Sequence, residues 1–176
     1  MAILKLVIAP NPILQKTSLP VLEITEKTKE ICNDMFDTMY DFGGIGLSAV
    51  QVSILERIIV VDLQGEKNAN KQTGQIIMIN PEIIHNDSTL NLYNEGCLSF
   101  PDQFVNIERP KQIRVRYLDL DSNQCELDAD GLLSTCIQHE IDHLNGKTIG
   151  SYVSDLKRTM MHTKIKKIKR TMKNVI

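Results

Sequence analysis

Residues 138–143 constrain this chain more than any other segment, because they contain the pattern HExxH, with His139, Glu140 and His143. Two histidines four residues apart lie about 40° apart around an α-helix, so both rings project from one face and can bind one metal ion. Glu140 then lies beside the ion, where a carboxylate can take a proton from a water molecule. The pattern predicts a helix with a metal site, although a histidine pair at this spacing also occurs in protein cores without metal.

The residues around the motif favour a buried helix. Asp128 and Asp130 can supply N-cap oxygens, and Asn145-Gly146 can supply the left-handed residue that ends the helix. Apolar side chains fall on two sides, with Leu133, Ile137, Ile141 and Leu144 on one and Leu132 and Cys136 beside the histidines on the other. A helix that is apolar on both sides is typical of a protein interior.

A catalytic metal site needs a third ligand from elsewhere in the chain. Downstream, Asp155 fits no common spacing and His162 lies in a basic tail. Upstream, Cys97 is the best candidate, because its thiolate follows a glycine that allows close approach of the backbone. The alternative is a closed structural site in a binding module, with Cys136 as the fourth ligand.

Size and composition favour one cytoplasmic domain over residues 1–176. A chain of 176 residues with 42% hydrophobic content is long enough for a single core. It has no long apolar run and no basic leader with a cleavable apolar stretch, so we expect neither membrane insertion nor secretion. The four cysteines form no CxxC pair, which favours free thiols in a reducing compartment.

The remaining periodicity predicts an α+β fold. Residues 25–40 have helical spacing, with Thr25 as the cap and Gly43-Gly44 as the stop, and we expect His85 in a surface turn. Strand-like runs occupy 57–63, 75–80, 113–120 and 125–127. We therefore expect mostly antiparallel sheets around a central HExxH metal helix, followed by a C-terminal helix.

The C-terminal helix is predicted over residues 157–176 and is basic and amphipathic. All 22 acidic residues lie at or before Asp155, whereas 8 of the 20 basic residues follow it. Met161, Ile165, Ile168 and Met172 form one helical stripe, which we expect to pack on the body while the lysines face solvent.

Two further segments carry chemistry. Closely spaced glycines in Gly43-Gly44-Ile45-Gly46 allow another backbone to approach, and Gln51 offers a neutral amide donor suited to an oxyanion. The segments GIGLSAVQ, EGCLS and QHEIDH occur in this order, and together they resemble the three signature motifs of the peptide deformylases.

This resemblance implies a metal-dependent hydrolase of protein biosynthesis that removes the formyl group from N-formylmethionyl nascent peptides and releases formate. It implies the metal ligands Cys97, His139 and His143, the catalytic residue Glu140, and an oxyanion held by the Gln51 side chain and the Leu98 backbone N–H. It also implies a methionine pocket and peptide contacts formed by Gly44, Ile45, Gly46, Glu95, Gly96, Leu132, Thr135 and Cys136.

The metal that the resemblance favours is Fe²⁺, with Zn²⁺, Ni²⁺ or Co²⁺ also accepted by such a site. It implies that the basic helix binds the ribosome, and we expect neither a membrane nor DNA as a partner. Ser48 and Phe104 depart from the family pattern, which more often has alanine and, in many bacterial members, arginine at these places. A zinc endopeptidase and an inactive relative are the competing interpretations.

Overall fold

The structure is a computed structural model that describes residues 2–64 and 74–171, with side chains described to residue 168. The helices are α1 (Glu26–Asp41), α2 (Gly131–Leu144) and α3 (Asp155–Thr171), with short 3₁₀ helices at Pro12–Gln15, Ala49–Val52 and Ile149–Tyr152. The strands are β1 (Gly46–Ser48), β2 (Ile58–Val61), β3 (Ile76–Asn86), β4 (Leu90–Gly96), β5 (Phe104–Pro110), β6 (Gln112–Leu118) and β7 (Gln124–Asp130). No helix in this part of the chain combines the length and the apolar composition that a bilayer crossing requires.

A five-stranded antiparallel sheet lies between α1 and α2. Its strand order is β1-β2-β3-β6-β7, so β1 forms one edge. Alternate residues of β2 point to opposite faces, with Ile59 and Val61 packing into the cluster that contains α2, and Ile58 and Val60 into the cluster that contains α1. The predicted α+β fold around a central HExxH helix is confirmed.

Helix α1 begins and ends as its sequence predicts. The Thr25 hydroxyl accepts a hydrogen bond from the Thr28 backbone N–H, and Thr28 reciprocates, forming a capping box. Phe42 is the C-cap, and Gly43 follows with a φ of +67°, in the left-handed region that glycine favours.

Helix α2 departs from the prediction at its start. Asp130 occupies the N-cap position, but its side chain makes no capping hydrogen bond, and Asp128 pairs instead with Arg114 on β6. The expected capping oxygens are therefore wrong, because β7 continues directly into the helix through Gly131, whose φ is +54°. The end is as predicted, with Asn145 as the C-cap and Gly146 at a φ of +73°.

Strand β3 is longer than the predicted segment 75–80. It continues past Pro81 because the register with β6 shifts between Ile79 and Glu82, an irregularity that accommodates a residue without an N–H. His85 therefore lies on a strand and not in a turn, although it is exposed as expected.

Strands β4 and β5 form a separate hairpin, and neither strand was predicted from the sequence. Val105 and Ile107 on its inner face pack with Met161 and Ile165 of α3, which are 4% and 0% exposed. Docking of the apolar stripe is confirmed for these two residues, whereas Met172 lies outside the described part of the chain.

Candidate metal centre and active site

Three residues from two segments converge on one point. Cys97 follows β4, and His139 and His143 project from α2, with their candidate ligand atoms all within 4.8 Å of one another. The Cys97 Sγ lies 3.2 Å from the His143 Nε2. Burial lowers the pKa of His143 well below its usual range, which favours the neutral ring that a metal needs. One thiol and two imidazoles are a donor set suited to a divalent transition metal, with one tetrahedral position left over.

The ring of His139 is oriented by a buried carboxylate. Its Nδ1 lies 2.8 Å from the Glu95 Oε2, so the N–H at Nδ1 faces the carboxylate and Nε2 is left for a ligand. Burial would raise the pKa of Glu95, but hydrogen bonds from His139 and Arg109 lower it, so the side chain is an ionised acceptor. Glu95 was predicted to contact substrate, and its carboxylate is instead engaged behind the histidine.

Arg109, which the sequence did not single out, holds this carboxylate in place. Its Nε donates to the Glu95 Oε1 at 2.6 Å and its Nη2 to Oε2 at 3.1 Å, while Nη1 donates to Asp142 on α2 at 2.8 Å. Tyr152 also donates to Asp142, so four elements meet in one ionic network. The spacing of Val105, Ile107 and Arg109 could have identified this arginine in the sequence, because alternate residues lie on one face of a strand.

Glu140 is buried beside the ligand group, with one oxygen free to act. Its Oε2 has no hydrogen-bond partner among the described residues. Burial raises the pKa of Glu140 to about 7. A buried carboxylate oxygen without a donor fits a water molecule at this point.

The amide of Gln51 is held in one orientation. The Ser48 backbone N–H and hydroxyl both donate to the Gln51 Oε1, at 2.9 Å and 2.8 Å. The amide NH₂ is therefore turned toward the Ser99 Oγ at 3.2 Å and the Cys97 Sγ at 3.7 Å. The role of Ser48 as a support for Gln51 was missed in the sequence.

A cavity of about 560 Å³ adjoins these groups. It is lined by Cys97, His139, Glu140, Gln51 and Leu98, and by all eight residues predicted to contact substrate, which are Gly44, Ile45, Gly46, Glu95, Gly96, Leu132, Thr135 and Cys136. A Cβ atom on Gly46 would lie 2.6 Å from the Cys136 Sγ and 2.7 Å from the Glu140 Oε1, so only glycine allows this close packing.

Cys136 is not placed as a fourth ligand. Its thiol lies 3.6 Å from the Ile45 carbonyl oxygen, and it does not belong to the group formed by Cys97, His139 and His143. The closed structural site is therefore not supported by the described residues.

Comparisons with known proteins agree with these observations. The family model for polypeptide deformylase matches residues 3–159. A peptide deformylase of Wolbachia sp. subsp. Drosophila simulans (strain wRi) is 48% identical over 175 residues, covering 97% of this chain and 98% of that one. One from Rhodopseudomonas palustris (strain BisB18) is 47% identical over 167 residues, covering 95% of each.

Solved structures give the same result. The crystal structure of peptide deformylase from Ehrlichia chaffeensis has a TM-score of 0.91 at 38% identity and covers 97% of this chain and 98% of that one. A second structure of that protein, in complex with actinonin, has a TM-score of 0.90 at 38% identity, covering 97% and 99%. The chain therefore belongs to the peptide deformylase family, metal-dependent hydrolases that remove the formyl group from the N terminus of nascent peptides.

Proposed function

We propose that Cys97, His139 and His143 hold the metal ion of this deformylase, and that Glu140, Gln51 and Leu98 carry the hydrolysis of formyl-methionine. The observation that supports this most is the free buried oxygen of Glu140 next to three converging ligand atoms in one cavity. The ion is Fe²⁺ in the cell, and Zn²⁺, Ni²⁺ or Co²⁺ can replace it in purified protein, because a thiolate–imidazole site accepts each of them.

The bound metal supplies Lewis acidity, which lowers the pKa of a water molecule and polarises the formyl carbonyl. Glu140 accepts the proton of the attacking water and then returns it to the leaving amine nitrogen of methionine. Its burial suits both steps, since a pKa near neutrality lets a carboxyl group accept and release a proton at working pH. The products are formate and a peptide with a free N-terminal methionine.

The oxyanion that develops on the formyl oxygen is stabilised by two donors. The Gln51 NH₂ is already directed toward the ligand group by the two hydrogen bonds from Ser48. The second donor is the backbone N–H of Leu98, a residue that directly follows the proposed ligand Cys97 and lines the cavity. Donors held in place before reaction avoid the cost of reorienting in the transition state.

The peptide binds in extended form beside β1. This strand is the edge of the five-stranded sheet, and residues 43–46 line the cavity, so backbone hydrogen bonds can add the substrate as a further strand. Ile45, Leu132, Thr135 and Cys136 surround the methionine side chain. Glu95 and Gly96 bound the opposite side, where Glu95 acts by positioning His139. A formyl group carries only hydrogen where acetyl carries a methyl, so selectivity comes from size.

The proposal also covers the cellular location of the protein and its association with the ribosome. Residues 1–176 form one catalytic domain of the cytoplasm, and its basic helix α3 associates with ribosomal RNA near emerging chains; the last residues of the predicted segment 157–176 lie outside the described part of the chain. Docking of Met161 and Ile165 supports this, because it leaves Lys164 and Lys166 exposed on the outer side of α3.

The test of the catalytic proposal is formate release by anaerobically purified protein, with metal content measured on the same sample. We expect formate from formyl-Met-Ala and about one metal ion per chain for this ligand set. Cleavage of internal peptide bonds instead would favour the endopeptidase, and metal-loaded protein without turnover would favour an inactive relative.

A further inference from the structure

The glycine segment 43–46, beside which the peptide is proposed to bind, is held from its outer side by one glutamine. Gln64 follows the end of β2, and its side-chain NH₂ donates to the Gly44 carbonyl oxygen at 2.8 Å. Gln64 is exposed and is not one of the described residues that line the cavity. No step of the proposed reaction accounts for this hydrogen bond.

The backbone of Gln64 is itself fixed in an uncommon conformation. Its φ is +51°, in the left-handed region that residues other than glycine rarely adopt. Its N–H donates to the Asp62 Oδ1 at 2.8 Å, and the Asp62 Oδ2 accepts from the Tyr40 hydroxyl of α1 at 2.6 Å. Such a conformation persists only where the surrounding structure holds it. The turn therefore directs an exposed side chain to Gly44.

Gly44 is tightly packed, and both of its backbone polar groups are engaged. Its N–H donates to the Met39 carbonyl oxygen at 2.8 Å, while its own oxygen accepts from Gln64. A Cβ atom on Gly44 would lie 2.8 Å from the Leu98 Cδ1, so the leucine side chain rests against this glycine. Gln64 thus acts on a point where the glycine segment contacts the residue that supplies a proposed oxyanion donor.

Burial along the glycine segment indicates which part of a peptide passes Gly44. Gly46 is buried against Glu140, whereas Gly43 is exposed. Formyl-methionine at the catalytic carboxylate therefore lies at the Gly46 end. An extended chain advances by about 3.3 Å per residue, so the residues after methionine run past Gly44 toward solvent. A strand edge that is held in place before binding loses less conformational freedom when the peptide adds to it.

We propose that Gln64 is a positioning residue for peptide binding. By holding the Gly44 carbonyl, it keeps residues 43–46 in place for the backbone of the residues that follow formyl-methionine. Asp62 and Tyr40 contribute by fixing the turn at Gln64. This inference rests on the proposed function and extends it, because it predicts an effect that depends on the length of the peptide and not on its side chains.

The test compares formyl-Met-Ala-Ser amide with formyl-Met amide, which are both uncharged, by formate release. Gln64→Leu removes the donor at similar size and should raise KM of the longer substrate about three- to tenfold. Its kcat should stay within about twofold, because the peptide contact is the same in the ground and transition states. KM of the short substrate should also stay within about twofold, since it has no residue beyond methionine to lie beside Gly44.

A second measurement is independent of turnover. Titration of metal-loaded protein with the product Met-Ala-Ser amide gives a dissociation constant, which should rise in Gln64→Leu by the same factor as KM.

One rescue variant and one control isolate the hydrogen bond. Gln64→Lys restores a donor that reaches the carbonyl, so it should bring KM of the longer substrate within about twofold of the wild type. Gln124→Leu is the matched control, because Gln124 is exposed at the start of β7, the opposite edge of the sheet. It should keep the wild-type constants. Urea midpoints should be unchanged in all three variants, since both positions are exposed.

The outcomes separate this inference from the function beneath it. An unchanged KM in Gln64→Leu, an equal rise for both substrates, an equal rise in Gln124→Leu, or no recovery in Gln64→Lys overturns the role of Gln64. Metal-loaded wild type that releases no formate from either substrate overturns the proposed function instead, and the titration with Met-Ala-Ser amide still tests Gln64.

Discussion

At the residue scale, Gln51 and Ser48 show how a neutral side chain is prepared for catalysis. The side-chain amide of a glutamine can rotate by about 180°, and its two orientations differ in whether the oxygen or the NH₂ group faces the reacting carbonyl. The Ser48 N–H can only donate, so it fixes the Gln51 Oε1 on its own side. The motif indicated Gln51, but the hydrogen bonds that orient it depend on a 3₁₀ turn at Ala49–Val52 that the sequence pattern did not predict.

This arrangement predicts unequal effects of two neighbouring substitutions. Gln51→Ala removes an oxyanion donor and should lower kcat by about 10²- to 10³-fold. Ser48→Ala removes only one of two donors to Oε1 and should lower kcat by less than about threefold, because the backbone N–H remains. Steady-state formate release measures both, and a larger loss in Ser48→Ala would show that its hydroxyl acts in the reaction itself.

Cys97 gives a second prediction at this scale. Cys97→Ser should lower the bound metal well below one ion per chain, because a hydroxyl is a far poorer ligand than a thiolate at neutral pH. Metal analysis after gel filtration checks this. The control is Cys125→Ser, since Cys125 lies on β7 outside the ligand group and should keep the wild-type content. Equal metal content in both variants would show that Cys97 is not a ligand.

At the element scale, the β4–β5 hairpin contains Glu95 and Arg109, which position the proposed metal ligand His139. It is also the part of the fold that the sequence predicted least well. Val105 and Ile107 point inward as a strand requires, but the next inward residue is Arg109, 5% exposed. A charged side chain at an inward position interrupts the alternation of apolar and polar residues by which a half-buried strand is identified. Its burial is stabilised by ion pairs with Glu95 and Asp142, which are distant in sequence and cannot be paired with it from the sequence alone.

The ion pairs of the hairpin and of the large sheet differ in burial, so we expect them to contribute differently to the stability of the protein. Arg109→Ala should destabilise the protein by about 3–5 kcal/mol, because it leaves buried carboxylates unpaired. Arg114→Ala breaks an exposed pair with Asp128 and should leave stability unchanged. Urea unfolding of both variants measures this, and similar midpoints would contradict the structural role of the network.

Helix α3 gives the test of ribosome association. Removing residues 164–176 would also remove Ile165, which is fully buried, so truncation would disturb the core. Lys164→Ala with Lys166→Ala leaves the docked face intact and should weaken ribosome binding in cosedimentation, with a smaller dependence on salt. Lys5→Ala with Lys16→Ala is the control, since both are exposed elsewhere. Unchanged ribosome binding of the α3 variant across a salt titration would show that these lysines do not bind the ribosome and that the helix serves only in packing.

At the scale of the whole molecule, the fold brings together three segments that are far apart in the chain. The sheet edge carries residues 43–51, the hairpin carries 95–99, and α2 carries 138–143, and all three border one cavity. Their order and motif residues predicted the family, which the comparisons confirm, and a candidate ligand group, whose atoms lie within 4.8 Å of one another. The Arg109 network and the place of Phe104 beside Gly96 required coordinates, because both depend on cross-strand neighbours and not on spacing within a segment.

The most direct test of the account is Glu140→Ala, assayed for formate release and metal content on the same anaerobic sample. Glu140 is proposed to carry protons and not to bind the metal, so the variant should keep about one metal ion per chain while kcat falls by at least about 10²-fold. Wild-type turnover with the metal retained would remove Glu140 from the mechanism and contradict the account.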